Sequence, residues 1–262
     1  MNKLLISRVA FNIFGIDIYW YGIIIAFAIL VAYIVACIIA KKRNIKGDIV
    51  FEILIAIIPL GIVFARLFAV LFDADLSILD YFNFRSGGMS IIGAIIGGAI
   101  GVVLLKLIRK RSFLEVADLI VVVLILAQGI GRWGNFANGE VYGLEVTNPA
   151  LQFFPFAVNV ESVWYEALFF YEFVLNVLGF VLLLVLYNKV KTRGIVTASY
   201  LMYYGAIRTI LETRRDPKFI LRLWGMPISL VVCVIMFVIG LVLLCILLAR
   251  LKNNNQEKTN GK

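Results

Sequence analysis

Residues 18–43 read IYWYGIIIAFAILVAYIVACIIAKKR, a run whose first 23 residues hold no charge, opened by Tyr19, Trp20 and Tyr21 and closed by Lys41, Lys42 and Arg43. About 20 helical residues cross the roughly 30 Å hydrocarbon core of a bilayer. Aromatic residues at one flank and basic residues at the other are the usual ends of such a helix. This stretch predicts a transmembrane span, and the rest of the chain follows its terms.

Composition agrees: 63% of the 262 residues are apolar and only 16% are charged. That is too little charge to cover a soluble domain of this length. Further apolar runs fall at about 49–72, 88–108, 114–131, 163–188, 195–212 and 226–249. The expected fold is therefore all-α, a polytopic membrane helix bundle of seven transmembrane spans. Residues 1–252 form one membrane domain, and the polar segment 253–262 is expected to be a disordered tail.

Basic clusters mark alternate ends: Lys41, Lys42, Arg43 and Lys46; Arg109, Lys110 and Arg111; Lys189, Lys191 and Arg193; Arg250 and Lys252. The positive-inside rule makes these ends cytoplasmic, with the N-terminus outside and the C-terminus inside. The net charge of +9 sits largely in these short flanks, so no nucleic-acid partner is expected. There is no histidine, which removes the usual neutral-pH base and the commonest metal ligand. Cys37, Cys233 and Cys245 lie apart in apolar runs without a Cys-x-x-Cys pair. Neither a metal nor a cofactor is expected. Gly93, Gly97 and Gly101 recur every four residues in the third run, the pattern of close helix packing in lipid.

The informative residues are those that lipid should reject, since an intramembrane charge normally has a partner or a task. They are Arg66, Asp118, Arg132, Glu140, Glu166, Arg208 and Glu212. With the orientation above, all but Asp118 fall toward the outer leaflet, together with Tyr21 and Ser90. The densest stretch is 131–140, GRWGNFANGE, where Arg132, Asn135 and Asn138 recur every three residues and share a helix face. A planar guanidinium beside amides suits a phosphate diester. Arg208 and Glu212 are four apart, with Arg215 three further on. That spacing gives either an intrahelical ion pair or an arginine oriented to hold phosphate.

The run 131–140 followed by Gly143 resembles the signature of the prolipoprotein diacylglyceryl transferase family. Trp20-Tyr21-Gly22, Gly87-Gly88-Met89-Ser90, Tyr165-Glu166 and Tyr204-Gly205-x-x-Arg208-x-x-x-Glu212-x-x-Arg215-x-Pro217 resemble further family motifs in the same order. The resemblance implies a seven-span enzyme of the bacterial cytoplasmic membrane with its site facing the outer leaflet. Its partners would be phosphatidylglycerol, as donor within the membrane lipid, and the signal peptides of preprolipoproteins, whose lipobox cysteine would receive the diacylglyceryl group as a thioether. Glycerol-1-phosphate would be released.

Carried over, Arg132 and Arg208 bind the phosphate, Asn135, Asn138 and Glu140 shape the pocket, and Tyr21 holds the headgroup or acceptor. Gly143, Glu212, Ser90 and Arg66 complete the expected substrate contacts. Glu140 is the first candidate to take the thiol proton and Glu212 the second. Two positions depart from the family pattern. Ile92 stands where a histidine or tyrosine is usual, and a His-Pro-x-Gln-x-Tyr-Glu motif is reduced to Tyr165-Glu166. A relative that binds lipid or lipoprotein without transfer, and a small-solute transporter, are the alternatives.

Overall fold

The computed structural model describes residues 7–72, 77, 81–82, 90–109, 112–220, 222–223 and 225–260. Gly87, Gly88, Met89, Lys110 and Arg111, and the side chains of Ile92 and Arg222, lie outside the described residues. The described chain is mainly helical: α1 (Trp20–Ala40), α2 (Gly47–Phe72), α3 (Ile91–Arg109), α4 (Phe113–Asn138), α5 (Leu168–Lys189), α6 (Ile195–Glu212) and α7 (Ile228–Asn260). Five of these, all but α3 and α6, are long and apolar enough to cross a membrane. The apolar part of α3 is shorter, Gly93–Ile108. In α6, three tyrosines, Arg208 and Glu212 break the apolar run.

Beside the helices, the described residues form three short antiparallel hairpins, one ahead of α1 and two between helices: β1 (Val9–Ile13) with β2 (Ile16–Tyr19), β3 (Ala157–Val160) with β4 (Val163–Glu166), and β5 (Arg222–Leu223) with β6 (Met226–Pro227). Val163 to Glu166 was expected at the head of the fifth span but is strand β4. Its Val163, Trp164 and Tyr165 are residues that favour strands, and β4 pairs with β3 across a two-residue turn. Glu161 and Ser162 at that turn both have positive φ, 49° and 73°, the hand that matches hairpin twist. Helix α7 also runs on to Asn260, so the backbone stays helical into the segment read as a disordered tail.

The polarity of α5 is that of a helix solvated by lipid. Glu172, Asn176, Gly179 and Leu183 recur along its buried face, while Val174, Leu178, Val181 and Val185 on the other face are exposed. Polar groups point in and aliphatic ones out, as expected where the surrounding medium is hydrocarbon.

The chain divides into two compact units, one of residues 33–119 and one of residues 1–32 with 120–262. In the first, α2 and α3 are joined by the glycine ladder. A Cβ on Gly101 would lie 2.7 Å from the Ala56 carbonyl oxygen, and Gly93 and Gly97 meet the carbonyls of Phe64 and Leu60 in the same way. These backbones touch because no side chain intervenes. We expect Gly97→Leu to destabilise the fold by about 3 kcal/mol or more, through overpacking against backbone. An unchanged thermal unfolding midpoint in purified protein would contradict this. Asp118, fully buried on α4, faces Arg43 at 3.7 Å, so this intramembrane carboxylate has a structural partner.

In the second unit, α6 and α7 use glycine reciprocally. Gly205 seats against the Cys233 carbonyl, and Gly240 against Ala198. This close approach carries the end of α6 to the start of α7, where the polar residues gather.

Candidate functional site

The signature 131–138 is helical, and the way α4 stops shapes the site. Gly139 takes φ 66°, Gly139 N donates to the Phe136 carbonyl at 2.9 Å, and Glu140 N donates to the Asn135 carbonyl at 3.0 Å. This pair of bonds is a Schellman close, with glycine in the left-handed position that other residues resist. The turn folds Glu140 back onto the last helical turn. Its Oε1 accepts from Asn135 Nδ2 at 3.1 Å and from Asn138 Nδ2 at 3.3 Å, and Asn135 Oδ1 lies 3.5 Å from Arg132 Nη1. The face predicted from three-residue spacing is therefore real, and Glu140 closes it. Gly139→Ala should cost about 1 kcal/mol or somewhat more through the forced positive φ. Amide exchange at Glu140 would report the loosened close; unchanged protection there would argue against it.

From Arg132 a ladder of alternating charge crosses to α6. Arg132 Nε forms an ion pair with Glu172 Oε2 on α5, and Glu172 Oε1 accepts from Arg208 Nη1 on α6. Arg208 Nη2 donates to Glu212 Oε2 at 3.0 Å, and Glu212 Oε1 lies 3.4 Å from Arg215 Nη1. Ser229, at the head of α7, donates its hydroxyl to the same Glu212 oxygen. Glu172, Arg208 and Glu212 are buried, whereas Arg132 and Arg215 keep side-chain exposures of 16% each. Arg215 Nε is itself buried and has no hydrogen-bond partner among the described residues. Burial also pulls the Arg215 guanidinium below its ordinary value, against the pull of Glu212. Among the described residues three guanidiniums alternate with two carboxylates along this line of contacts, and Glu140 lies beyond its Arg132 end.

Aromatic packing sets the α4–α5 spacing that lets Arg132 reach Glu172. Trp133 meets Phe169 at 5.3 Å and Phe173 at 5.7 Å edge-on, and Phe136 stacks on Phe169 at 4.5 Å. Tyr21 comes from the first turn of α1. A Cβ on Gly134 would lie 2.9 Å from its ring, so glycine there admits the ring beside α4, in the field of Glu140 and Arg132.

Two loops frame the ladder's exposed end. Gly143 N donates to the Glu166 carbonyl at 3.0 Å, and a Cβ on Gly143 would lie 2.7 Å from the Cβ of Glu166. Gly143 also bridges to Arg215, so its place is the junction that carries Arg215. Glu166, read from sequence as an intramembrane charge, sits on β4 and pairs with Arg214. Lys218 donates to Tyr142 Oη and lies 4.2 Å from that ring's centre. That hydrogen bond, with Asp216 nearby, holds its ammonium above the ordinary lysine value.

Arg66 and Ser90 belong to the other unit. Arg66 is fully buried, with its Nε 3.4 Å from the Tyr81 carbonyl oxygen. Ser90 N donates to the Ala65 carbonyl at 2.9 Å, and Ser90 Oγ accepts from Gly93 N at 3.4 Å as the cap of α3. Glu172 and Ser229 were absent from the sequence-derived set, and Arg215 was noted there only for its spacing from Glu212 and its place in a motif. Glu172 had a signal, being a carboxylate inside an apolar run. Ser229 had none.

Comparison with known proteins adds to this geometry. Residues 8–246 match the family described as prolipoprotein diacylglyceryl transferase. The phosphatidylglycerol–prolipoprotein diacylglyceryl transferase of Finegoldia magna is 35% identical over 241 residues, covering 90% of this chain and 94% of the relative. A relative of that name from Clostridium perfringens, numbered 1, is 33% identical over 258 residues, covering 95% and 98%. Another, from Clostridioides difficile, is 35% identical over 255 residues, covering 96% and 100%.

Proposed function

Because the chain belongs to the prolipoprotein diacylglyceryl transferase family, a family of membrane transferases, we propose that it moves the diacylglyceryl group of phosphatidylglycerol onto the lipobox cysteine of preprolipoproteins. In this reading all seven helices span the bacterial cytoplasmic membrane, and the ladder faces the outer leaflet.

The observation that carries the reading is the Arg132–Glu172–Arg208 bridge, continued to Arg215. It gathers three guanidiniums around two buried carboxylates, with Arg132 and Arg215 still partly exposed, and a phosphate diester is an anion that such a cluster of planar donors can hold. Arg215, with its unpartnered Nε, offers a donor to such a group. In the reaction the cysteine sulfur attacks the glyceryl carbon that bears the phosphate. A carbon–sulfur bond forms as the carbon–oxygen bond breaks, and the electron pair leaves on the phosphate oxygen. The departing glycerol-1-phosphate gains a second negative charge. Fixed cations therefore stabilise the transition state more than the bound lipid, which is the condition for acceleration.

The thiol proton must go to a base. Glu212 is committed to Arg208, Arg215 and Ser229, whereas among the described residues Glu140 accepts from two asparagine amides and is partly exposed. This favours Glu140. Replacing it by glutamine should lower turnover at neutral pH by about 10²–10⁴-fold, the usual worth of a general base, with the fold intact. Near-normal turnover would remove Glu140 from the role.

The function itself is tested with purified protein, phosphatidylglycerol labelled in its glyceryl backbone and a lipobox peptide. Label should enter the peptide and vanish when the peptide cysteine is replaced by serine. Lipid binding without transfer would contradict the proposal and favour a relative that only binds.

A further inference from the structure

The hairpin before α1 has a surface that the transfer chemistry leaves unused. In β1–β2, Phe11 pairs with Ile18 and Ile13 with Ile16, so these four side chains share one face. Asn12 and Asp17 pair on the other face. Asn12 Nδ2 donates to Asp17 Oδ1 at 2.6 Å, and Asn12 Oδ1 accepts from Gly15 N at 2.9 Å, which braces the turn. The hairpin is amphipathic, yet Phe11, Ile13 and Ile16 stand 49%, 47% and 45% exposed. At the tip Phe14 is completely exposed and has φ 51°, followed by Gly15 at φ 81°. A two-residue turn of this hand favours Asn-Gly. A bulky aromatic there is strained in its backbone and hydrated over its whole ring.

The base of the hairpin is fixed to the membrane boundary. Helix α1 begins directly after β2, and Trp20 N donates to the Arg8 carbonyl at 3.1 Å, clamping both strands to its first turn. Tyr19, Trp20 and Tyr21 are all exposed and form an aromatic belt at the level where this helix enters. Phe27 and Leu30 continue an exposed apolar surface down α1. A five-residue strand is about 17 Å long, so an upright hairpin would carry Phe14 well clear of the bilayer.

We propose that the hairpin lies flat on the membrane surface at which α1 enters, with Phe11, Ile13, Phe14 and Ile16 inserted among the lipids and the Asn12–Asp17 pair facing water. The occupant of the apolar face is the host bilayer. That face offers a protein partner no charge or hydrogen-bonding side chain, and it continues the lipid-facing surface of α1. Tyr21 sits in the first turn after the hairpin and packs on Gly134, so the depth of the hairpin sets the depth of that ring.

Spin labels test this in the full chain with Cys37, Cys233 and Cys245 replaced by alanine, reconstituted in phosphatidylglycerol–phosphatidylethanolamine nanodiscs. Labels on Ile13→Cys and Phe14→Cys should be relaxed several-fold more by oxygen than by a water-soluble nickel chelate, and a label on Asn12→Cys should show the reverse. Labels at 13 and 14 as open to nickel as the one at 12 would overturn the proposal. Shielding from both reagents would overturn it too, because protein would then cover the face. Should the cysteine-free chain fail to fold, Phe14→Trp in the native background serves instead. Its added emission should be quenched by lipids brominated high on their acyl chains, and unquenched emission would count against the proposal.

Discussion

Replacing Arg208 by alanine is expected to reduce transfer by about 10³-fold or more in kcat/KM, beyond the 10²–10³ typical of losing one oxyanion donor. Two losses combine. The departing phosphate loses a cation, and Glu172 and Glu212 are left as buried carboxylates without their shared partner. Lysine should not rescue the activity. Arg208 reaches two carboxylates on two helices through two nitrogens of one planar fork, and an ammonium cannot span both in that geometry. Rates of peptide labelling, with thermal unfolding measured in parallel, check this. Wild-type kcat/KM for Arg208→Lys would contradict the assigned role.

The second large effect concerns Glu172. Removing one partner of a buried ion pair typically costs about 3–5 kcal/mol, and Glu172 serves two partners at once. Glu172→Ala would leave the guanidiniums of Arg132 and Arg208 to repel each other in a water-poor site. The expected result is a marked fall in thermal stability and loss of transfer. Phosphatidylglycerol should restore part of that stability, because its phosphate can stand in for the missing carboxylate; a ligand that binds only the folded state stabilises it by mass action. Diacylglycerol, which has no phosphate, should not. Equal recovery with both lipids would place the effect on general lipid solvation.

Much of this architecture was written in local pattern. The uncharged run ahead of Lys41 gave α1 to within two residues, because hydrocarbon thickness fixes helix length. The three-residue recurrence of Arg132, Asn135 and Asn138 gave a helix face, and Gly139 marked its end. What local pattern could not give was pairing across helices. Arg132 and Arg208 both stood out as intramembrane charges, but their mediator, Glu172, lies 40 residues from one and 36 from the other along the chain. Glu166 and Glu172 lay in the same apolar run. Hydropathy alone could not tell that the first belongs to a strand and the second to a buried helix face. Ser229 reaches Glu212 only because Gly205 and Gly240 let α6 and α7 pack closely. A serine at a helix head does not announce such a partner.

The central claim is that Arg132 and Arg208 grip one phosphate together. Affinities of the wild type, Arg132→Lys, Arg208→Lys and the double variant for phosphatidylglycerol, and for a diacylglycerol of the same chains, measure it directly. The account predicts a coupling of about 1 kcal/mol or more between the two substitutions for phosphatidylglycerol, and additive effects for diacylglycerol. Additivity for phosphatidylglycerol, or the same coupling for both lipids, would show that the two arginines do not share the headgroup.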